Sequence, residues 1–473
     1  MNLEQTYYME AGYMRGLTSI CDNAAGCHRL SRIVCSHRGT PRALLAATAI
    51  VAGFLATPLQ AQEPSRPNTA QEKVVREMNT VGNVSDAATY EVFYLYHAYQ
   101  IASVGQTIDG KVRTLENGEK SFKKFQSGLR DADAGTAARS KLQGYVLDWM
   151  SDMARGSYSD VEDITAQGRA MAMMLVAELN ETDSPAKPLA ATLPVLLDAV
   201  DGAAFNNDGV RAVALYGLLR HAESGVADAD AGAVFDQVAK LATQMQPPKG
   251  RDEEIHTYFR TRAVDILGAL GSTEKVPSMI ELAKVLSATL AAQGSRGVEL
   301  RCAAASAIGG QNWVGKKNVD LKDISFQLAN LAITVTNVAS SADELKSRLH
   351  SIDLALTGGE GSSDGGIAVA ADGDSKEYID ELITQFNLLH DAAFAQGVPG
   401  TEIQLAKIEA AKLTDWLIKN PIADAPSETA PESKPDATSS AVKTPAATAA
   451  PTAAAPAAPE PPPKAPPAED AAG

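Results

Sequence analysis

Beyond its first 61 residues the chain has five histidines, His97, His221, His256, His350 and His390, and one cysteine, Cys302. These are the side chains that most readily supply general acid/base, metal-binding or nucleophilic chemistry. Each histidine is isolated on an expected helix or at its end. No His-Glu-x-x-His, Gly-x-Ser-x-Gly or haem-type Cys-x-x-Cys-His pattern occurs. The nearest approach to an acid/base cluster is Glu253, Glu254 and His256, but residues two apart on a helix point to different sides. Cys302 has no histidine near it in sequence and no cysteine to pair with once a leader is removed; its place between Arg301 and Ala303 suits a small buried residue. An earlier group, Cys21, Cys27, His28, Cys35 and His37, lacks the paired Cys-x-x-Cys spacing of a zinc site and precedes an apolar run. The sequence thus marks no catalytic, cofactor-binding or metal residue and implies no cofactor. An enzyme would have to assemble its site from positions far apart in the chain.

Composition then limits what could position such groups. Of 473 residues, 45% are hydrophobic and only 5% aromatic, so the apolar bulk is Ala, Leu, Val and Ile, the palette of closely packed helices. The formal charge is −16. Residues 1–61 carry five arginines against Glu4, Glu10 and Asp22, leaving −18 on the remainder. Such a surface repels nucleic acid and anionic lipid, and steers cationic partners unless the fold gathers a local basic patch.

Residues 43–61 contain no charge, follow Arg38 and Arg42 and end in Leu59-Gln60-Ala61. This is the layout of a secretory signal peptide cleaved after Ala61, and it predicts export to the periplasm or the exterior. An uncleaved membrane anchor is the rival reading, disfavoured because the run is Ala-rich and broken by Pro58. The 41 residues ahead of Arg42 exceed an ordinary leader, which points to an over-extended start, with Met14 or Val34 as internal candidates.

Residues 62–85 are expected as a polar linker and 86–182 as an N-terminal helical region. In the latter, Val92, Phe93, Tyr96 and Tyr99 share one face, with Tyr90, Tyr94 and His97 close by. Aromatic residues at helical spacing usually pack inward, so a core is favoured over a binding surface for glycan or protein. Further helices are predicted over 119–130, 136–154 and 159–180, with Asp133 and Asp160 as N-caps.

From 186 to 356 the pattern becomes regular, with helices over 186–200, 208–222, 231–246, 252–270, 276–293, 297–310, 322–339 and 342–356. Three stretches appear as copies: Arg211–Leu219, Arg262–Leu270 and Arg301–Gly309, each an Arg followed by small residues. Their separations, 51 and 39, bracket the period of paired-helix solenoids. Asp208, Val210, Arg211, Ala214 and Leu218 make the fullest match to the second helix of HEAT repeats, which the segment resembles. Arg262, Ala263, Leu267 and Leu270 match in part, as do Val298, Arg301, Ala304 and Ile308, although both stretches lack the turn Asp. The resemblance implies an all-α, right-handed helical-hairpin solenoid of HEAT or armadillo type with a long groove. It also implies that Arg211, Arg262 and Arg301 bond turn carboxylates of neighbouring repeats. Ala263, Gly268, Ala304 and Ala305 are expected to let adjacent helices approach closely.

Residues 357–374 read as a flexible Gly/Asp loop, with neither an EF-hand continuation nor a phosphate-cradling pattern. A closing helix hairpin over 375–420 follows, with Asp374/Glu377 and Thr401/Gln404 as capping boxes for helices 376–395 and 402–419. It is expected to cap the stack rather than form a dimer. The last segment, 421–473, holds thirteen of the 24 prolines and no aromatic residue, the composition of a disordered tail.

The function expected from these features is that of an exported, non-catalytic helical-repeat scaffold that binds an unidentified protein. Two alternatives are a helical enzyme or ligand carrier with a pocket between the N-terminal helices and the repeats, and a structural envelope spacer. A groove over 208–356 with scattered charge and no apolar anchor would remove the main support for the scaffold.

Overall fold

A computed structural model describes residues 64–108, 110–158, 161, 163–201, 205–291, 297–358, 366–395 and 401–422. The leader, Asp160 and the tail from 423 onward, with the features expected there, lie outside the described residues. Among the described residues the chain is all-α apart from two short hairpins. No described helix is long and apolar enough to cross a membrane.

The 62–85 segment, expected as linker, contains helix α1 (Thr69–Val81). Its start is fixed by a reciprocal capping box: Asn68 Oδ1 accepts from the Gln71 amide, and Gln71 Oε1 from the Asn68 amide, both at 2.9 Å. The two orphan amides of the first turn are thereby satisfied. Gly82 ends the helix at φ 75°, where a Cβ would meet Thr136 Cγ2 at 2.6 Å. Position 82 therefore needs glycine twice over, for conformation and for space.

Helix α2 (Ala87–Ala102) carries the aromatic cluster. Its buried face is Tyr90, Phe93, Tyr94, His97 and Ile101, while Val92 is exposed and Tyr96 half-buried. Phe93 and Tyr99 are core, as expected, but the inward face is turned toward Tyr90 and Tyr94 and away from Val92 and Tyr96. The reason is polar satisfaction: Tyr90 Oη donates to Asn79 Oδ1 at 2.7 Å, and Asn79 Nδ2 donates to Tyr94 Oη at 3.0 Å. Asn79 of α1 supplies a partner to each buried phenol, and Ala138 O is a second acceptor for Tyr90 at 3.2 Å.

A two-residue hairpin follows, β1 (Thr107–Ile108) with β2 (Lys111–Val112), and then α3 (Leu115–Asp131). Helix α4 (Ala137–Tyr145) runs through one π-helical turn, Val146–Met150, into α5 (Ser151–Arg155). The N-cap of α4 is Thr136, whose Oγ1 accepts from the Arg139 amide at 3.3 Å; Asp133 is not the cap. Helix α6 (Ala166–Ala177) starts later than the sequence suggested, capped by Thr165. A second hairpin, β3 (Asn180–Asp183) with β4 (Ala186–Pro188), occupies the start of the expected 186–200 helix. The apolar run there is helical only as α7 (Leu193–Asp201).

The remaining helices are α8 (Asp208–Ser224), α9 (Asp228–Thr243), α10 (Glu253–Ser272), α11 (Met279–Leu290), α12 (Val298–Gly309), α13 (Leu321–Val338) and α14 (Ala342–Thr357). They stack in two rows. In one row α6, α8, α10, α12 and α14 pack each on the next; in the other, α7, α9, α11 and α13 each pair with the helix that follows in sequence. Burial follows the rows: Ala263, Val264, Leu267, Ala304, Ala305 and Ile308 are fully enclosed. The expected loop 357–374 contains the short helix α15 (Ile367–Ala370), whose Ile367 is wholly buried. Helices α16 (Gly373–Phe394) and α17 (Thr401–Lys419) pack on α13 and α14, closing the stack. The N-cap of α16 is Asp372, without a side-chain cap bond, so the expected Asp374/Glu377 box is not formed. Thr401 is the first residue of α17, and the residues before it lie outside the described ones.

Neighbouring helices are tied by a recurrent device. Arg169 Nε donates to Ala154 O at 2.9 Å, Arg260 Nε to Ala242 O at 2.9 Å and Arg301 Nε to Leu290 O at 2.6 Å. Arg220 reaches Ala177 O, and Arg139 reaches Leu129 O and Ala132 O. In every case a guanidinium on one helix meets the last carbonyls of another, where orphan acceptors and the negative end of the helix dipole coincide. Only Arg301 of the three arginines marked in the sequence belongs to this set. Arg211 and Arg262 instead bond carboxylates of their own helices, Asp208 at 2.8 Å and Asp265 at 2.9 Å. The structural counterpart of Arg301 is Arg260, 41 residues earlier, and the stretches in register are Arg260–Gly268 and Arg301–Gly309. The copies matched by sequence were thus two residues out of step.

Candidate functional site

A cleft of about 680 Å³ lies where the N-terminal helices meet the stack. It is built around the first turn of α8. Asn207 caps that helix, its Oδ1 accepting from the Val210 amide at 3.1 Å, which places Asp208 in the first turn, where a carboxylate suits the helix dipole. Asp208 Oδ1 then receives Nη1 of Arg211 at 2.8 Å and Nε of Arg251 at 3.1 Å. Arg251 comes from the Pro248-Lys249-Gly250 turn ahead of α10, and its guanidinium lies 4.9 Å over the Phe259 ring. Asp208 is thus shared by arginines from two successive helix pairs.

Burial lowers the Arg251 pKa, and Asp208 beside it opposes that shift. The Arg169 pKa is lowered by burial and by the nearby Arg211 charge. Lys240 and Lys249 add two ammonium groups to the cleft wall, with Lys240 3.5 Å from Asp201. Half-buried Val200, Leu241 and Ile255 supply apolar surface between the polar groups. The lining has four cationic side chains against Asp201 and Asp208, a local basic patch on an acidic chain. Amides of Asn206, Asn207, Gln237 and Gln244 complete it. Guanidinium and amide donors beside apolar wall can hold a carboxylate-bearing, amide-rich chain. No nucleophile with a base in hydrogen-bond reach lies among the lining residues.

Residues considered for chemistry from sequence are dispersed. Glu253 and Glu254 are exposed, whereas His256 is buried and donates from Nε2 to Gln244 O at 2.8 Å. His256 therefore serves the C-terminal end of α9, and burial lowers its pKa. His221 is buried against Thr192 Oγ1 at 2.8 Å, His350 is exposed, and His390 stacks on Phe394 with ring centroids 4.3 Å apart. Burial pushes the Cys302 thiol up to about 11, the opposite of what a nucleophile needs. Among the described residues no group of three or more His, Cys, Asp or Glu side chains could hold a metal ion.

Sequence reasoning missed Arg251, since a lone arginine after Pro-Pro-Lys-Gly gives no periodic signal. Outside the cleft, Met245, Val314 and Val338 are the large hydrophobics exposed between 208 and 356. Within the cleft, Leu241 and Ile255 are the large apolar residues that this region contributes. Compared with known families and with curated proteins, the sequence matches no family model and no curated protein.

Proposed function

We propose that this protein is an exported, non-catalytic scaffold of HEAT-like helix pairs that binds an extended segment of a protein partner at the cleft beside α8. The observation that carries the reading is the clasp of Asp208 by Arg211 and Arg251. It fixes the guanidinium groups at the junction of two helix pairs, next to apolar wall and free of a catalytic pair. Rigid cations beside an apolar floor favour an acidic peptide over the cationic partner that the net charge alone would attract. Export rests on the 43–61 segment, with retention as a membrane anchor as its rival.

A second reading, a carrier for a small ligand, is favoured by one feature: the cleft includes Ala166, at the start of α6, and so lies between the N-terminal helices and the repeats. One experiment separates the two. The mature chain and its Gln237→Trp variant, which fills the cleft wall, are used to capture proteins from envelope extract, with bound material then analysed for small molecules. A stoichiometric protein retained by the wild type and lost by the variant supports the scaffold. A small molecule with no protein supports the carrier. A partner retained equally by both excludes this cleft.

A further inference from the structure

A second cleft, of about 420 Å³, lies among the N-terminal helices, between the start of α1, α2 and α3. Four cationic side chains line it, Arg66, Arg113, Lys120 and Lys124, against a single carboxylate, Glu72. Within and beside this lining Lys124 pairs with Glu72 at 3.3 Å, and Lys120 pairs with Glu116, outside it, at 2.7 Å. An excess of three positive charges in one recess, on a chain of net charge −16, is not what random placement on an acidic surface produces.

The interior of the recess contains the second, independent feature. His97 is 93% buried, and its Nδ1 lies 3.0 Å from Ser121 Oγ, while Nε2 has no hydrogen-bond partner. A buried polar atom without a partner carries an uncompensated desolvation cost and calls for an explanation. The imidazole is neutral, held well below its ordinary value by burial and by the Lys124 charge. If Ser121 donates to Nδ1, the ring proton sits on Nε2, and that nitrogen is a donor in need of an acceptor.

We propose that this cleft binds the oxyanion group of a small organic anion, with Arg113, Lys120 and the Nε2–H of His97 as its donors. The three donors come from α2, α3 and the segment between them, so the site is fixed by the N-terminal helices and is independent of the scaffold reading above. Tetrahedral and planar oxyanions share the recognition chemistry: several charge-assisted donors converging on oxygen.

The test is calorimetric titration of the full mature chain with sodium sulfate and, separately, with citrate, in a low-chloride buffer. One saturable site is expected for at least one of the two, and the tighter binder identifies the oxyanion geometry. Arg113→Gln with Lys120→Gln should weaken it at least tenfold, whereas Lys123→Gln, exposed on α3 outside the lining, should leave it unchanged. In the unsubstituted protein the anion should also shift the His97 imidazole resonances and leave those of His350 in place. Absence of saturable binding by either anion, equal weakening by Lys123→Gln, or an unmoved His97 overturns the proposal.

Discussion

Arg301 on α12 donates from Nε to the carbonyl of Leu290, the last residue of α11, at 2.6 Å. Forty-one residues earlier Arg260 does the same to Ala242, next to the last residue of α9. Each guanidinium is more than nine-tenths buried and spans the joint within a helix pair. Burial lowers the pKa of both, yet neither loses its proton at any ordinary pH, because the guanidinium starts so high.

Replacing Arg301 by Met should therefore remove a charge-assisted bond from a buried carbonyl, at a cost of about 1.5–3 kcal/mol. Arg262→Met, which breaks a half-exposed pair with Asp265 in its own helix and a cation–π contact with Tyr258 at 5.4 Å, should cost less, about 1 kcal/mol. Urea unfolding of the two variants measures the difference, and equal midpoints would refute the distinction.

The glycines in register give the second prediction. A Cβ on Gly309 would lie 2.8 Å from the backbone of Leu354 in α14, and one on Gly268 would lie 3.0 Å from Ala307 Cβ. Gly309→Ala should destabilise by about 1–3 kcal/mol, because the gain in helix propensity is smaller than the cost of parting two backbones. Gly232, inside α9 with nothing within 4 Å of its virtual Cβ, should show the reverse. Gly232→Ala is expected to raise stability by up to about 1 kcal/mol. Thermal or urea denaturation of both variants checks the opposite signs.

Stability should begin to fall with acid before the carboxylates titrate. Burial, with Lys124 near one ring and Arg220 near the other, lowers the pKa of His97 and His221 to about 4. In the unfolded chain both return to about 6.5, so the unfolded state takes up the proton first. Their contribution to stability is complete above pH 6.5 and is lost as pH falls toward 4. For each ring the loss is up to about 3 kcal/mol. Urea midpoints measured from pH 7.5 to 4.5 should fall most steeply below 6.5, and His221→Gln should flatten that slope. A midpoint independent of pH over this range would contradict the neutral buried rings.

Cys302 should behave as a packing residue. Its thiol, pushed by burial from 9.0 up to about 11, carries on the order of a hundredfold less thiolate than an unperturbed cysteine at the same pH. Disulfide-exchange labelling of the native protein at pH 8 should be at least tenfold slower than labelling in urea. Equal rates would show that the site opens readily.

Much of the helical order was legible in the sequence. Spacing of Val, Leu and Ala at three and four residues located most helices of the stack, since burial of one face is a local, periodic demand. The same periodicity marked the aromatic helix as core and placed Phe93 and Tyr99 inward, but not Tyr90 and Tyr94. Their burial was decided by Asn79 of another helix, whose amide bonds both phenols, with Ala138 O as a second acceptor for Tyr90. The repeat register failed for a similar reason. Arg262 resembles Arg301 when stretches are aligned by their Arg-Ala or Arg-Cys openings, but which arginine turns inward depends on where the previous helix ends.

Composition and local pattern by themselves determined an all-helical chain with small-residue packing and no motif for catalysis. Tertiary structure decided where charge collects. Arg211 and Arg251 are 40 positions apart and meet on Asp208; Arg113, Lys120 and His97 enclose a recess although no sequence window unites them. Net charge is a sum over the chain and is fixed by the sequence. A basic cleft on an acidic protein is a matter of placement, which depends on distances between helices that only packing sets.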